Sequence, residues 1–486
     1  VSASGGAIVR PGHNAWRVET ANRVSVIIDA EDYFRAARDA MLEAKHQILL
    51  IGWDFDARIR LADRSDRVPE APEHVGAFIT WLARRNPALD IHLLRWDIGA
   101  LKTFLRPSTL ATTLRWMAHK RIHPRLDSTH PTGASHHQKI VVIDDCIAFC
   151  GGIDMTAGRW DTRAHRDDDP RRINPDGAAY MPWHDATTAL QGPVAKALGE
   201  LCRERWELSG GAPIAPPPAR DDCWPDSLTP DFTDIPAAIS RSHPDIPGVE
   251  PVREIENLYL DLIAAAKHSI YAESQYFASR RIAEALALRL AEPDGPEIVI
   301  INPEHADGWL EQKAMDTARA RLVQALRPRD PHGRLRLYHP FTAAGQAIYV
   351  HAKVLVVDDI VLRIGSSNFN NRSLRLDTEC DVTIACETPG TENSARIRAI
   401  RNGLIAEHLG CTDAQVNDAI ASEGSLIGAI ESLRGEGRTL RPYEVPDLAG
   451  VTAWLADNEV LDPENPQDLF EPVASGGLFR RLRRPA

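Results

Sequence analysis

The chain has 486 residues, 43% hydrophobic and 26% charged, which suits folded domains and excludes wholesale disorder, collagen and coiled coil. Lysine and arginine number 56 against 68 aspartates and glutamates, a net charge of −12 that opposes binding long nucleic acid through its phosphates. No apolar run approaches the roughly 18–20 residues that span a bilayer, so no transmembrane segment is expected.

In chain order, the opening VSASGGAIVRPG lacks a charged region followed by an apolar core, so no export signal is expected; removal of a leader ahead of Val1 stays open. The helical pattern EDYFRAARDAMLEAKH then runs into the strand-like QILLIGW from Gln47. DIHLLRW, KIVVID and IAFCGG supply further strands, and residues 1–208 form a first α/β half. Residues 209–250 carry APIAPPPARDDCWPDSLTPDF, dense in Pro, Asp and Ser, and read as an extended linker. A second half over 251–410 repeats the order, with REIENLYLDLIAAAKH as helix and SIYAES, EIVIIN, RLRLYH, KVLVVD and VLRIGSS as strands. Residues 411–486 read as an appended helical tail ending in the basic run LFRRLRR from Leu478, a lipid-surface contact or a plain solubilising end. Seven cysteines occur without a CxxC pair, and Cys146 and Cys150 read as reduced core residues.

The chain contains itself twice. AKHQILLIGWDF from Ala44 matches AKHSIYAESQYF from Ala266, and HQKIVVIDDCIAFCGGID from His137 matches HAKVLVVDDIVLRIGSSN from His351. Continuous apolar strands imply sheets covered on both faces. The fold expected is α/β: two similar α/β/α sandwich domains with mixed sheets, related by a pseudo-two-fold axis, with the active site at their interface.

Residues two apart in a strand share a face, so His137 projects with Lys139 and His351 with Lys353. A His and a Lys at the mouth of an apolar strand are costly to bury unless an anion meets them. Across one pseudo-two-fold cleft, two imidazoles and two ammonium groups surround one small anion, and a phosphodiester fits. The ammonium groups offset charge on the non-bridging oxygens, one imidazole attacks phosphorus, and the other protonates the departing alcohol. The product of the first step is a covalent phosphohistidine. No metal and no cofactor is required.

The pattern HxKxxxxD followed by GG or GS, present twice, resembles the paired motifs of the phospholipase D superfamily. His137, Lys139 and Asp144 fit the first motif; His351, Lys353 and Asp358 fit the second. GSSNFNNRSLRLDTE from Gly365, ESQYF from Glu273 and the long stretch DTRAHRDDDP…PWHDATTAL from Asp161 resemble the eukaryote-type phospholipase D branch, as does Gly151-Gly152-Ile153-Asp154 where the second half has Gly365-Ser366-Ser367-Asn368. The resemblance implies an acidic residue downstream of each motif that orients its histidine: Glu379 for His351 and Asp185 for His137. It implies His137 as nucleophile, His351 as general acid, and Asn368, Ser366 and Gly152 at the phosphate. Asp144 and Asp358 are expected to bond turn amides, and Asp154 a neighbouring cation or backbone. Trp53 sits at the C-terminal mouth of the first strand, where α/β sites lie, as a substrate-site candidate; Trp183 and Tyr276 are candidates to line an apolar entrance for acyl chains, with core packing as the alternative for each. His165 and His184 stay open between substrate gating and core.

The activity implied is hydrolysis of glycerophospholipids of the phosphatidylcholine or phosphatidylethanolamine class to phosphatidate and the head-group alcohol, with head-group exchange to added alcohols. The partner expected is a phospholipid at a membrane or micelle surface, not nucleic acid. The expected state is a monomer, cytoplasmic or peripheral at a membrane. A cardiolipin-synthase-like phosphatidyltransferase, a nuclease of the same superfamily and a catalytically silent lipid-binding relative are the alternatives; loss of a motif His or Lys would mark the last, and all four are present.

Overall fold

A computed structural model describes residues 8–61, 71–97, 107–246, 248–305, 309–386 and 388–445. The first copy of the repeat supplies β1 (Arg17–Ile28), β2 (Gln47–Gly52), β3 (Asp90–Trp96), β4 (Ile122–Asp127), β5 (Ile140–Ile143), β6 (Ile147–Gly151), β7 (Trp183–His184) and β8 (Ala186–Gln191). The second supplies β9 (Phe232–His243), β10 (Val252–Arg253), β11 (Ser269–Glu273), β12 (Glu297–Ile301), β13 (Leu335–Phe341), β14 (Tyr349–Val350), β15 (Val354–Val357), β16 (Val361–Gly365) and β17 (Glu379–Ala385), and β18 (Thr439–Pro442) follows.

Strand order is palindromic about the antiparallel β1–β9 pair. Outward on one side run β8, β6, β5, β2, β3 and β4; on the other run β17, β16, β15, β11, β12 and β13. In both arms the last three are parallel and the rest antiparallel. The two mixed sheets thus join edge to edge.

Helices cover both faces. The helices Pro193–Leu208 and Glu392–Leu409 contribute Val194, Leu198, Leu201, Ile397, Leu404 and Ile405 to one apolar core shared by both copies. On the opposite face each copy keeps a core of its own, one built on the helices Ala30–Leu42 and Val75–Arg85, the other on Glu254–Ala265 and Arg280–Leu290. A core common to both halves on one side holds them in a fixed relation.

Three expectations need correction. The 209–250 linker ends early, because β9 occupies Phe232–His243 at the centre of the sheet. Pro236 and the neighbouring polar residues disguise the strand; proline has no N–H to give a ladder and normally argues against a central position. The tail after residue 410 is partly integrated: helices Asp413–Glu423 and Leu426–Leu433 lead to β18, which pairs with the edge strand β13. Its basic end from Leu478 lies outside the described residues. Finally, Cys146 is joined to Cys223 in a disulfide, which ties the β5–β6 turn to the extended segment ahead of β9, while Cys150 is a buried free thiol. The partner lay 77 residues away in the linker, where spacing gives no signal.

The β5–β6 and β15–β16 hairpins turn through Asp144-Asp145 and Asp358-Asp359, all four at positive φ. Positive φ at both central residues is the mirror-image turn that matches strand twist, and Asp tolerates it. The Asp144 carboxylate accepts from the amides of Lys45, His46 and Gln47 at 2.7–2.8 Å; Asp358 accepts from Lys267, His268 and Ser269 at 2.7–2.9 Å. Each motif aspartate thereby fixes the start of the strand beside the motif. Asp144→Ala and Asp358→Ala are expected to destabilise the fold by about 2–4 kcal/mol, read as a drop in urea midpoint. The Asp144 change is the larger because Arg220 also pairs with it, at 3.0 Å.

Candidate active site

His137 and Lys139 lead into β5, and His351 and Lys353 lead into β15, so the two motifs enter the sheet from pseudo-symmetric positions. Their imidazole centroids lie 6.4 Å apart. Backbone pairing between the halves holds them there. His137 N donates to Thr378 O at 2.9 Å, and Thr378 N to Ser135 O at 2.9 Å. In the mirror arrangement β14 runs parallel to β7, and His351 N donates to His184 O at 2.7 Å.

These bridges deliver each carboxylate to the opposite histidine. Thr378 precedes Glu379, whose two carboxylate oxygens lie 3.1 and 3.0 Å from His137 Nδ1. His184 precedes Asp185, whose Oδ2 lies 2.7 Å from His351 Nδ1. The assignment of Glu379 to His351 and Asp185 to His137 is therefore reversed. Position after the motif suggested pairing within a half; the parallel bridges cross the carboxylates over. With Nδ1 tied in both rings, Nε2 of each is the nitrogen left to meet a substrate.

Burial sets the protonation states. Desolvation pushes Asp185 up to about 6 and Glu379 up to about 7. It pulls Lys353 down to about 7, and holds both motif imidazoles well below their usual value, helped by Lys139 and Lys353 beside His137 and by Lys353 and Arg159 beside His351. Both shifts favour the neutral ring that a nucleophile requires; a ring that acts as acid must first take up a proton at Nε2 with its carboxylate ionised beside it.

The remaining candidates divide. Lys139 Nζ lies 3.2 Å from Asp154 Oδ2 and donates to His137 O, and Asp154 Oδ1 accepts from Trp53 N at 3.1 Å. Lys353 donates to His351 O. Asn368, at the place matching Asp154, keeps its Oδ1 buried and without a partner among the described residues. The Ser366 hydroxyl donates to Glu379 and accepts from Cys380 N. Gly152 is a packing requirement, because a Cβ there would meet Asp185 Oδ1 at 2.2 Å. Both are expected at the substrate; in the structure one braces a carboxylate and the other leaves room for one. Trp53 stacks on Trp96 at 5.8 Å and sets its edge against His137 at 6.4 Å; Trp183 stacks on Tyr349 at 4.5 Å and lies 5.3 Å from His351. Each histidine thus has a stacked aromatic pair beside it. Tyr276 packs with Ala278 and Met315 and is joined to Tyr349 through the Gln275 amide, at 2.9 and 2.8 Å.

His165 and His184 belong to a buried acid–base network. His184 contacts Glu273 at 2.8 Å and Glu407 at 2.9 Å; His165 contacts Asp161 at 3.0 Å and Glu407 at 3.1 Å; His408 contacts Glu273 at 2.9 Å. These carboxylates raise His165 to about 9 and His184 well above its ordinary value despite burial. Asp29, His165, His184 and Glu407, and separately His184, Glu273 and His408, are the donor groups close enough to share a metal among the described residues. Protonated, His165 and His184 can themselves supply positive charge to those carboxylates. Asp29, Glu407, His408, Tyr349 and Arg159 escaped the sequence reading, because only the fold brings them here.

Residues 40–222 match the family model described as Phospholipase D, and residues 259–397 the one described as Cardiolipin synthase, PLD-like domain. The chain is 26% identical to Phospholipase D alpha 1 of Nicotiana tabacum, over 85% of this chain and 66% of that protein, and 25% identical to Phospholipase D A of Dictyostelium discoideum, over 72% and 32%. The chain belongs to the phospholipase D superfamily, in its eukaryote-type branch. It spans somewhat under two-thirds of the length of the plant relative and one-third of the Dictyostelium one. The crystal structure of a phosphatidylserine synthase from Haemophilus influenzae shares the fold at a TM-score of 0.53 and 12% identity, covering 80% of this chain and 87% of that one.

Two outcomes test this superfamily site. In 15N spectra of the histidine rings, Glu379→Gln is expected to shift the Nδ1 signal of His137, and Asp185→Asn that of His351; the reverse would restore same-half pairing. The two carboxyls must be ionised to hold the Nδ1–H groups, and their raised values place proton uptake at about pH 6–7. Hence kcat/KM on a soluble phosphodiester should fall as pH drops through that window, not near pH 4.

Proposed function

We propose that this chain is a phospholipase D-type phosphodiesterase acting on glycerophospholipids. The observation that carries the reading is the pair of imidazoles 6.4 Å apart, each backed by a carboxylate of the opposite half, with two motif lysines beside them. Nε2 of one imidazole attacks phosphorus as the P–O bond to the head group breaks, and the other, which takes up a proton at Nε2 as the negative phosphodiester enters the site, donates that proton to the departing oxygen. Water, deprotonated by the second imidazole, then breaks the P–N bond and yields phosphatidate. The roles follow His137 as nucleophile and His351 as acid. The 2.7 Å contact to buried Asp185 supports the second part, since a close carboxylate stabilises an imidazolium. Lys139 and Lys353 offset charge growing on the non-bridging oxygens, and the aromatic pairs limit access of water.

Substrate at a lipid surface is favoured by the resemblance to phospholipases D, and the net charge of −12 disfavours a nuclease. No helix among the described residues is long and apolar enough to cross a membrane. The Cys146–Cys223 disulfide favours an oxidising compartment over a reducing cytoplasm. The match of residues 259–397 to a cardiolipin-synthase domain supports phosphatidyl transfer as the second reading, with an alcohol-bearing lipid replacing water.

Incubation with dihexanoyl phosphatidylcholine and ethanol, followed by mass spectrometry, is expected to yield phosphatidate and phosphatidylethanol. Transfer to phosphatidylglycerol without hydrolysis would select the synthase reading, and DNA degradation without lipid turnover the nuclease. His137→Asn and His351→Asn should each lower turnover by at least about a thousandfold while leaving the urea midpoint within a few tenths of a molar. Acid-labile phosphate should map to a peptide holding His137; its appearance on His351 reverses the roles.

A further inference from the structure

The insertion after the first motif carries several arginines, and most have a carboxylate. Arg163 pairs with Glu407, Arg171 with Asp169 and Arg172 with Asp161. Arg159 is different. It is half-buried, and its Nε is buried without a hydrogen-bond partner. No ion pair to it is found among the described residues. Its guanidinium lies 4.1 Å from the centroid of Trp183, and that ring lies 5.3 Å from the ring of His351. A guanidinium taken partly out of water without an anion is costly, and stacking on an indole offsets only part of that cost. Its field reaches the buried Asp185 carboxylate, but no hydrogen bond or ion pair joins the two, so its Nε–H stays free to take an anion supplied from outside the chain.

The charges of the two motifs point the same way. Lys139 is neutralised by Asp154 at 3.2 Å. At the matching place the second half has Asn368, so Lys353 has no such partner. Lys353 instead shares the field of the buried Asp185 and Glu379 carboxylates, which also face the two motif imidazoles, and has no ion-pair partner of its own among the described residues. Arg159 adds to the His351 side, and the residue 214 positions later, where the repeat would place its mate, is Ser373. Its field also lowers the proton affinity of both His351 and Lys353, as a cation close to them must.

We propose that Arg159 is a phosphate-binding residue whose guanidinium takes a non-bridging oxygen of the scissile phosphodiester on the His351 side, giving the reacting phosphorus a third cation. This rests on the phosphodiesterase reading above. Arginine suits the task because its planar fork binds phosphate oxygens in pairs while its face stacks on an aromatic ring. A mere prop for Trp183 would need neither charge nor fork.

The test uses inorganic phosphate as probe, with binding measured by calorimetry on the full chain at pH 7, so that no turnover is required. Arg159→Met keeps the stack on Trp183 and removes the charge; it is expected to weaken phosphate at least about tenfold and to lower kcat/KM for dihexanoyl phosphatidylcholine by a similar factor. Arg159→Lys keeps the charge and should recover part of both losses, and it carries the test alone if the methionine variant does not fold: phosphate affinity at least threefold below wild type is expected. Phosphate affinity within twofold of wild type in either folded variant overturns the assignment. So does wild-type turnover with no phosphate binding at tens of millimolar, which leaves the phosphodiesterase reading standing. A wild-type chain that neither binds phosphate nor cleaves the lipid overturns both.

Discussion

The structure depends on one constraint, the crossing of each carboxylate to the other half's histidine. Two short parallel bridges enforce it: β14 with β7, and the strand approach at His136 with Thr378. Neither half alone contains a histidine with its carboxylate. A single copy of the repeat would present an imidazole of undefined tautomer beside a buried, unpaired acid. Duplication therefore does more than double the motif; it makes each half complete the other. The shared core beneath the helices Pro193–Leu208 and Glu392–Leu409 gives this crossing a stiff base, since close-packed interiors resist small displacements.

Behind the His351 side lies the buried acid–base network. Asp185 N donates to Asp29 Oδ1 at 3.0 Å, and Asp29 N to Asp185 O at 2.8 Å, so the network grips the carboxylate that orients His351. It joins β1, the insertion, β11 and the helix Glu392–Leu409. Burying several charges is justified only where each is paired, and replacing one partner leaves the rest uncompensated. Behind His137 different groups do this: Ser366 and Cys380 brace Glu379, Asp381 paired with Arg363 holds Ser366, and the buried set His136, Asp127 and Arg205 meets Thr378. The halves are alike in backbone and unlike in charge, a difference also visible in Asp154 against Asn368.

Much of this was legible in the sequence. The repeat of HxK, an apolar strand and an aspartate fixed the sheet class, the two-fold relation and four of the central side chains, because period-two alternation and duplicated spacing are local signals. What stayed hidden depends on long-range contact. Glu379 and Asp185 were identifiable as carboxylates, but their partners are set by pairing between segments 166–242 residues apart. That Ser366 and Gly152 pack against these carboxylates is likewise visible only in the fold. β9 was obscured by proline, and Cys223 by its setting in a proline-rich stretch. Arg159 carries no pattern at all; its distinction is a buried Nε without a hydrogen-bond partner.

The most direct measurement is a crystal structure of the chain with vanadate. A shared centre predicts vanadium bonded to Nε2 of one motif histidine, with Nε2 of the other facing the opposite apical oxygen and both motif lysines on the equatorial oxygens. Vanadate held by one half alone, with the second histidine beyond hydrogen-bonding reach, would contradict the account.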